Sequence, residues 1–167
     1  MMASPGARRG EILPGFMLSM PDGSPVELER YRGRNNLVLI FAGDVLGRAG
    51  STSPLLEGLV ARSAELAAEV AQVLVVVASR SAVASQSDPG PFPILVDSDA
   101  HIHRRVGATD AAGQPAPALF VTDRFREIYA TYVSAEGSAL PSAKEVMDWL
   151  RFINIQCPEC GVPEWPV

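Results

Sequence analysis

Two unbroken apolar runs constrain this chain most: Leu37-Val38-Leu39-Ile40-Phe41-Ala42 and Val73-Leu74-Val75-Val76-Val77-Ala78. Each has the length of a strand and is apolar at every position, the pattern of a strand buried on both faces in the middle of a parallel sheet. Between them Leu56, Leu59, Val60, Leu66 and Val70 recur at helical spacing, with Glu57, Arg62, Glu65 and Glu69 elsewhere. Ser53 is placed to cap that helix and Pro54 to open it, because the first helical position has no use for an N–H. The spacing predicts an amphipathic helix running to about Glu69. Strand, helix and strand make a βαβ unit, whose crossover is right-handed.

The flanking sequence extends that unit on both sides. Pro14 to Leu18 and Val26 to Leu28 flank Met20-Pro21-Asp22-Gly23, and the Asp-Gly pair predicts a hairpin turn. After the second run, residues 81–90 are polar and read as a loop. Residues 92–97 form a short extended segment, and residues 98–106 a short helix stopped by Gly107. A loop holding Pro115 and Pro117 leads to Ala118-Leu119-Phe120-Val121-Thr122 and Glu127-Ile128-Tyr129-Ala130-Thr131-Tyr132, an antiparallel hairpin around Asp123-Arg124-Phe125-Arg126. Ser142 and Glu145 form a capping box. Val146, Met147, Leu150 and Ile153 then give the last helix its buried stripe. The expected class is α/β: a mixed central sheet flanked by helices, with two parallel strands extended by an antiparallel pair.

The 167 residues suit one domain, with residues 1–13 as a flexible arm and 156–167 as a Cys-Pro-Glu-Cys tail. A formal charge of −5 argues against a nucleic-acid partner, which would require a basic face. Arg8, Arg9, Arg32, Arg34, Arg104 and Arg105 come in pairs, but nearby acids dilute them and a solvated surface is expected. No apolar run reaches the roughly 20 residues needed to span a bilayer. No apolar stretch follows Arg8 and Arg9 as a secretory signal would demand. A cytoplasmic protein in a reducing compartment, with no membrane partner, is the expectation.

The order of elements, with several local strings, resembles the thioredoxin-like superfamily and within it the peroxiredoxins, the alkyl hydroperoxide reductase/thiol-specific antioxidant family. Pro14-Gly15-Phe16-Met17-Leu18 with Asp22-Gly23 resembles the family's opening hairpin. Phe92-Pro93-Ile94-Leu95-Val96-Asp97 with Gly107 resembles its "fP-lL-D … yG" stretch, and Pro117-Ala118-Leu119-Phe120-Val121-Thr122-Asp123 the proline and strand that close the active site. The resemblance implies a thioredoxin-like fold and makes Pro117 the candidate cis proline beside the reactive loop, with Pro115 as competitor. It also implies a Pro, a Thr and the peroxide-reducing Cys in the loop after the first buried strand. Here those positions fall on Gly43, Gly47 and Gly50. Registered on Pro54 instead, the Cys-x-x-Cys positions of thioredoxin-like reductases fall on Leu46 and Ala49. This sequence is therefore similar to a divergent member without the usual active-site cysteine. Ser51, Thr52 and Ser53, aided by Arg48, are candidates for holding an anion at the start of the helix. A nucleophilic role for these hydroxyls would need a base, and His101 and His103 lie on a separate short helix with no evident orienting acid.

The only cysteines are Cys157 and Cys160, in Cys157-Pro158-Glu159-Cys160-Gly161. They are the candidate redox pair of a thiol-dependent oxidoreductase of antioxidant type, which needs no cofactor and acts on a thiol-containing protein or a small oxidant. Redox Cys-x-x-Cys motifs usually open a helix, whereas this pair follows one. The alternative is a knuckle for zinc or iron. Structural zinc takes four ligands, so the remainder would come from a second copy in a homodimer or from His101 and His103. In that case the chain is a non-catalytic binding module. A third reading is plain structure, with Val162, Trp165 and Val167 packing the tail down.

Overall fold

The computed structural model describes residues 6–43, 53–79, 91–134 and 140–156. Its sheet has seven strands: β1 (Met17–Ser19), β2 (Pro25–Glu27), β3 (Asn36–Gly43), β4 (Ala71–Val77), β5 (Ile94–Val96), β6 (Ala118–Thr122) and β7 (Ile128–Val133). Their spatial order is β2-β1-β5-β4-β3-β6-β7. The two apolar runs lie side by side in parallel, in register from Asn36 with Ala71 to Phe41 with Val76. β5 pairs with β4 in parallel as well. The sheet thus holds three parallel strands, one more than the sequence suggested, with β6 and β1 joined antiparallel at its two sides. Pro93 and the three-residue length of β5 hid the third strand, but the carbonyl of Pro93 accepts from the Val75 N–H at 3.0 Å and leads the chain into the ladder.

Alternation along β3 divides the core. Leu37, Leu39 and Phe41 face one side, where Leu13, Phe16, Val26, the 3-10 turn Leu28–Tyr31 and helix α3 (His101–Val106) cover them. Val38 and Ile40 face the other, under helices α1 (Ser53–Ala61), α2 (Ser63–Ala68) and α4 (Ala143–Ile155). β3 is buried at all eight positions, and its one polar side chain, Asn36, donates to the Glu69 carbonyl at 3.2 Å and to Asn154 Oδ1 at 2.7 Å.

The helix predicted to run to Glu69 is two helices, broken at Arg62. There φ is −106° and ψ 22°, and the Arg62 N–H turns to the Leu59 carbonyl. Leu59 and Leu66 stay on the buried face across the break. Val60 and Val70 do not: both are exposed, and Val70 takes φ +53° to end the segment. Where the chain must turn, the side chains foreseen for it are in place. Gly107 ends α3 at φ +82°, Gly23 turns the first hairpin at φ +90°, and the Ser142 hydroxyl accepts from the Glu145 N–H at 3.2 Å. Among the described residues no helix is long and apolar enough to cross a membrane.

Candidate functional site

The resemblance places a reaction centre where β3 gives way to α1, at the C-terminal edge of the parallel strands. β3 and β4 end together there: Gly43 pairs with Val77, and its carbonyl accepts from the Ala78 N–H at 3.0 Å. The loop between α3 and β6 closes against that end. Gly43 adopts φ +62°, and a Cβ on it would lie 3.3 Å from the Pro115 carbonyl oxygen. A side chain would be strained by the backbone and crowded by the loop, so glycine lets the two meet. Asp110 holds the loop's shape, its Oδ1 accepting from the N–H groups of Ala112 and Gln114, both at 2.9 Å. Pro115, Ala116, Pro117 and Ser134 complete a cleft of about 390 Å³ beside this loop. The Asp110 carboxylate is committed to the turn. Among the described residues, these walls therefore offer shape and backbone polarity to a partner, and no free acid or base.

Pro117 lines the cleft, but it is not the cis proline that the resemblance implies: every peptide bond among the described residues is trans. Its carbonyl accepts from the Ser134 N–H at 2.7 Å, tying the start of β6 to the end of β7. A trans X–Pro bond is the lower-energy form unless the surroundings force the other, and Pro115 is trans too.

Behind the cleft lies a pair that sequence reasoning missed. His103 has a buried orienting acid: its Nδ1 stands 2.7 Å from Asp97 Oδ2, and both side chains are fully buried. The same carboxylate accepts from the His103 N–H at 2.9 Å and the Ile102 N–H at 3.3 Å, capping the start of α3. An ionised carboxylate only accepts, so the Nδ1 position carries the proton. Burial alone would raise the Asp97 pKa; the imidazole and the two backbone N–H groups outweigh it and hold the carboxyl below its ordinary range. His103 Nε2 is buried with no hydrogen-bond partner among the described residues, and the ring meets Phe41 edge-on at 5.0 Å between centroids. Backbone bonds connect this pair to the cleft: the His103 carbonyl takes the Ala108 N–H at 2.8 Å, and the Ala108 carbonyl takes the Ala116 N–H at 3.0 Å. Asp97 at a strand end with a histidine on the next helix was the available signal. The six-residue spacing matches no helical period, because Asp97 sits outside α3 and the chain turns through left-handed Ala100 (φ +53°) to bring the two together.

Of the residues singled out in the sequence, Ser53 begins α1. Arg48, Ser51, Thr52, Cys157 and Cys160 lie outside the described residues, as does the polar stretch 81–90. Among the described residues no group of three or more His, Cys, Asp or Glu is placed to hold a metal ion. His101 is exposed while His103 is spent on Asp97, so the two do not form a joint ligand pair.

Comparison with solved structures gives the fold a wide kinship. The peroxidoxin BcpB of Mycobacterium tuberculosis superposes with a TM-score of 0.74 at 19% identity, over 88% of this chain and 98% of that one. Mycobacterium bovis AhpC gives 0.74 at 21% identity, over 90% and 99%. A putative thiol:disulfide interchange protein DsbE from Chlorobium tepidum gives 0.65 at 20%, over 88% and 97%. No curated protein matches the sequence. At these identities the structures establish a thioredoxin-like, peroxiredoxin-type fold. The sequence profile of the AhpC/TSA family, in contrast, matches residues 9–131, from the arm before β1 into β7. By that match the chain belongs to the AhpC/TSA family.

Proposed function

We propose that this chain is a redoxin whose thiol–disulfide chemistry is carried by Cys157 and Cys160 in place of a cysteine in the loop after β3. The observation supporting this is the conjunction of family and cysteine count. A member of the AhpC/TSA family has two cysteines in 167 residues, and neither precedes residue 157. The balanced step is an exchange. One thiolate attacks a partner's disulfide, releasing one partner thiol. The second thiol of this chain then resolves the mixed disulfide, leaving a Cys157–Cys160 disulfide and two partner thiols. The substrate class is a disulfide-bearing protein or a small oxidant. The cleft beside Gly43 and Pro117 offers the backbone surface for such a partner.

The pair follows helix α4, whose negative end disfavours a thiolate. Exchange is accordingly expected to quicken as pH rises through the ordinary thiol range near about 8.5. In a disulfide-reductase assay, Cys157→Ser is expected to remove at least about 99% of turnover, since a lone thiol cannot resolve the mixed disulfide. Unchanged turnover would overturn the assignment. The alternative, a non-catalytic module with a structural metal, predicts about half a zinc or iron per chain in protein purified without chelator, as four thiolates from two copies would hold one ion.

A further inference from the structure

A second concave site lies away from the cleft, between β7 and α4. Tyr132, Glu145, Asp148, Trp149 and Phe152 line a groove of about 450 Å³ with Arg9 across it. Glu145, Asp148, Trp149 and Phe152 are spaced i, i+3, i+4 and i+7, so one face of α4 presents two carboxylates and two rings. The rings are fixed in position. Trp149 Nε1–H donates to the Tyr132 hydroxyl at 2.9 Å, and Phe152 meets Trp149 edge-on at 6.0 Å and Tyr129 at 6.2 Å.

The Arg9 guanidinium lies 5.3 Å from the centre of the Trp149 ring. Among the described residues it has no carboxylate partner, and the Glu145 carboxylate has no cationic one; Asp148 is held by Lys144 at 2.7 Å and by Arg151 at 3.5 Å. Arg9 is exposed, as expected of a solvated Arg8-Arg9 pair, and its guanidinium nonetheless lies over the Trp149 ring. The groove is thus occupied in cis by an organic cation that no carboxylate among the described residues holds. The charge of Arg9 is also felt at Tyr129, where it partly offsets the rise in phenol pKa caused by burial, Glu127 and Asp123.

We propose that this groove is a binding site for a small organic cation with a guanidinium or alkylammonium head, and that Arg9 is its internal competitor. Aromatic faces attract such cations through the ring quadrupole, more strongly when water is excluded, and adjacent carboxylates add selectivity against neutral isosteres. The volume is that of a small-molecule pocket. A strand-like peptide finds the nearby end of the β7 edge taken: the Gly10 N–H donates to the Ile128 carbonyl at 2.8 Å, and the Ile128 N–H to the Glu11 carbonyl at 2.9 Å. The free small molecule is thus the occupant.

The test uses the full chain carrying Trp165→Phe, which leaves Trp149 as the single tryptophan, titrated at low salt with ethylguanidinium and with ethylurea as a neutral control. Trp149 fluorescence and its indole N–H resonance report binding. Saturable binding of ethylguanidinium without binding of ethylurea is expected. Arg9→Ala, an exposed position, should tighten it about tenfold by removing the competitor, and Glu145→Gln should weaken it. Equal response to ethylurea, absence of saturation, or an affinity indifferent to Arg9→Ala would overturn the proposal. Tighter binding of a blocked Gly-Arg-Gly peptide than of ethylguanidinium would overturn the choice of occupant. None of these readings depends on the cysteines, so the redox assignment stands or falls separately.

Discussion

Asp97→Ala is expected to destabilise the fold by about 3–5 kcal/mol, the cost of breaking a buried, hydrogen-bonded pair by deleting one partner. The carboxylate receives the His103 ring at 2.7 Å and the N–H groups of His103 and Ile102 at 2.9 and 3.3 Å. Its removal strands an imidazole whose other nitrogen already lacks a partner and uncaps a helix of six residues. Asp99 Oδ1 still accepts from the His101 N–H at 3.2 Å, but Ala100 at the N-cap provides no acceptor for the N–H groups of Ile102 and His103. Asp97→Asn keeps the shape and one acceptor oxygen but not the charge, and should lose less. Urea unfolding followed by circular dichroism decides the matter. An Asp97→Ala protein within about 1 kcal/mol of wild type would mean that the pair contributes no more than an ordinary hydrogen bond.

The same carboxylate sets a pH signature. Its pKa in the folded protein lies below the ordinary 3.8, so the unfolded chain binds the proton more readily. Its contribution is therefore complete above about pH 4 and fades as pH falls through the folded value. The part of the stability gap between wild type and Asp97→Asn that the Asp97 charge contributes should shrink as pH falls below about 4. Asp22 and Asp148 are also lowered, by hydrogen bonds from Ser24 and Lys144, but they are shared by both proteins, so they cancel in the difference. A gap that widened with acid would reverse the sign assigned to Asp97.

What could be read from the sequence is what local pattern dictates. β3 from Leu37 to Ala42 and β4 from Val73 to Val77 are apolar throughout because both faces are covered, and that leaves a run no helix of this length would show. Ser142, Gly107 and the Asp22-Gly23 turn announce themselves because each answers a backbone demand within a few residues. β5 was only half legible: three residues after a proline do not reveal a partner strand. The break at Arg62 left no mark, since the stripe carries on through Leu66. Two site features were beyond local pattern. Asp97 and His103 meet only through the left-handed Ala100, and Arg9 reaches Trp149 across almost the whole chain. The charge pattern around Arg9 signals solvent, and nothing local to Trp149 names its companion.

Phe41→Ala should be the most costly single truncation in the sheet, at about 3–5 kcal/mol. The ring is fully buried on the most enclosed strand, edge-on to His103 at 5.0 Å and to Phe120 at 5.6 Å. Each aromatic contact is worth about 0.5–1.5 kcal/mol beyond burial, so Phe41→Leu, which keeps most of the volume, should lose mainly that part. Phe41 stands two residues before Gly43, and the ring it supports belongs to the residue whose carbonyl begins the ladder through Ala108 to Ala116. A cavity here therefore loosens the cleft wall as well as the core. A double-mutant cycle between Phe41→Leu and His103→Ala separates the two effects. If the ring contact transmits order to the cleft, the two changes are less than additive, by about 0.5 kcal/mol or more. Strict additivity would make Phe41 a filler of space, and the Asp97–His103 pair would then buttress the cleft through the backbone alone.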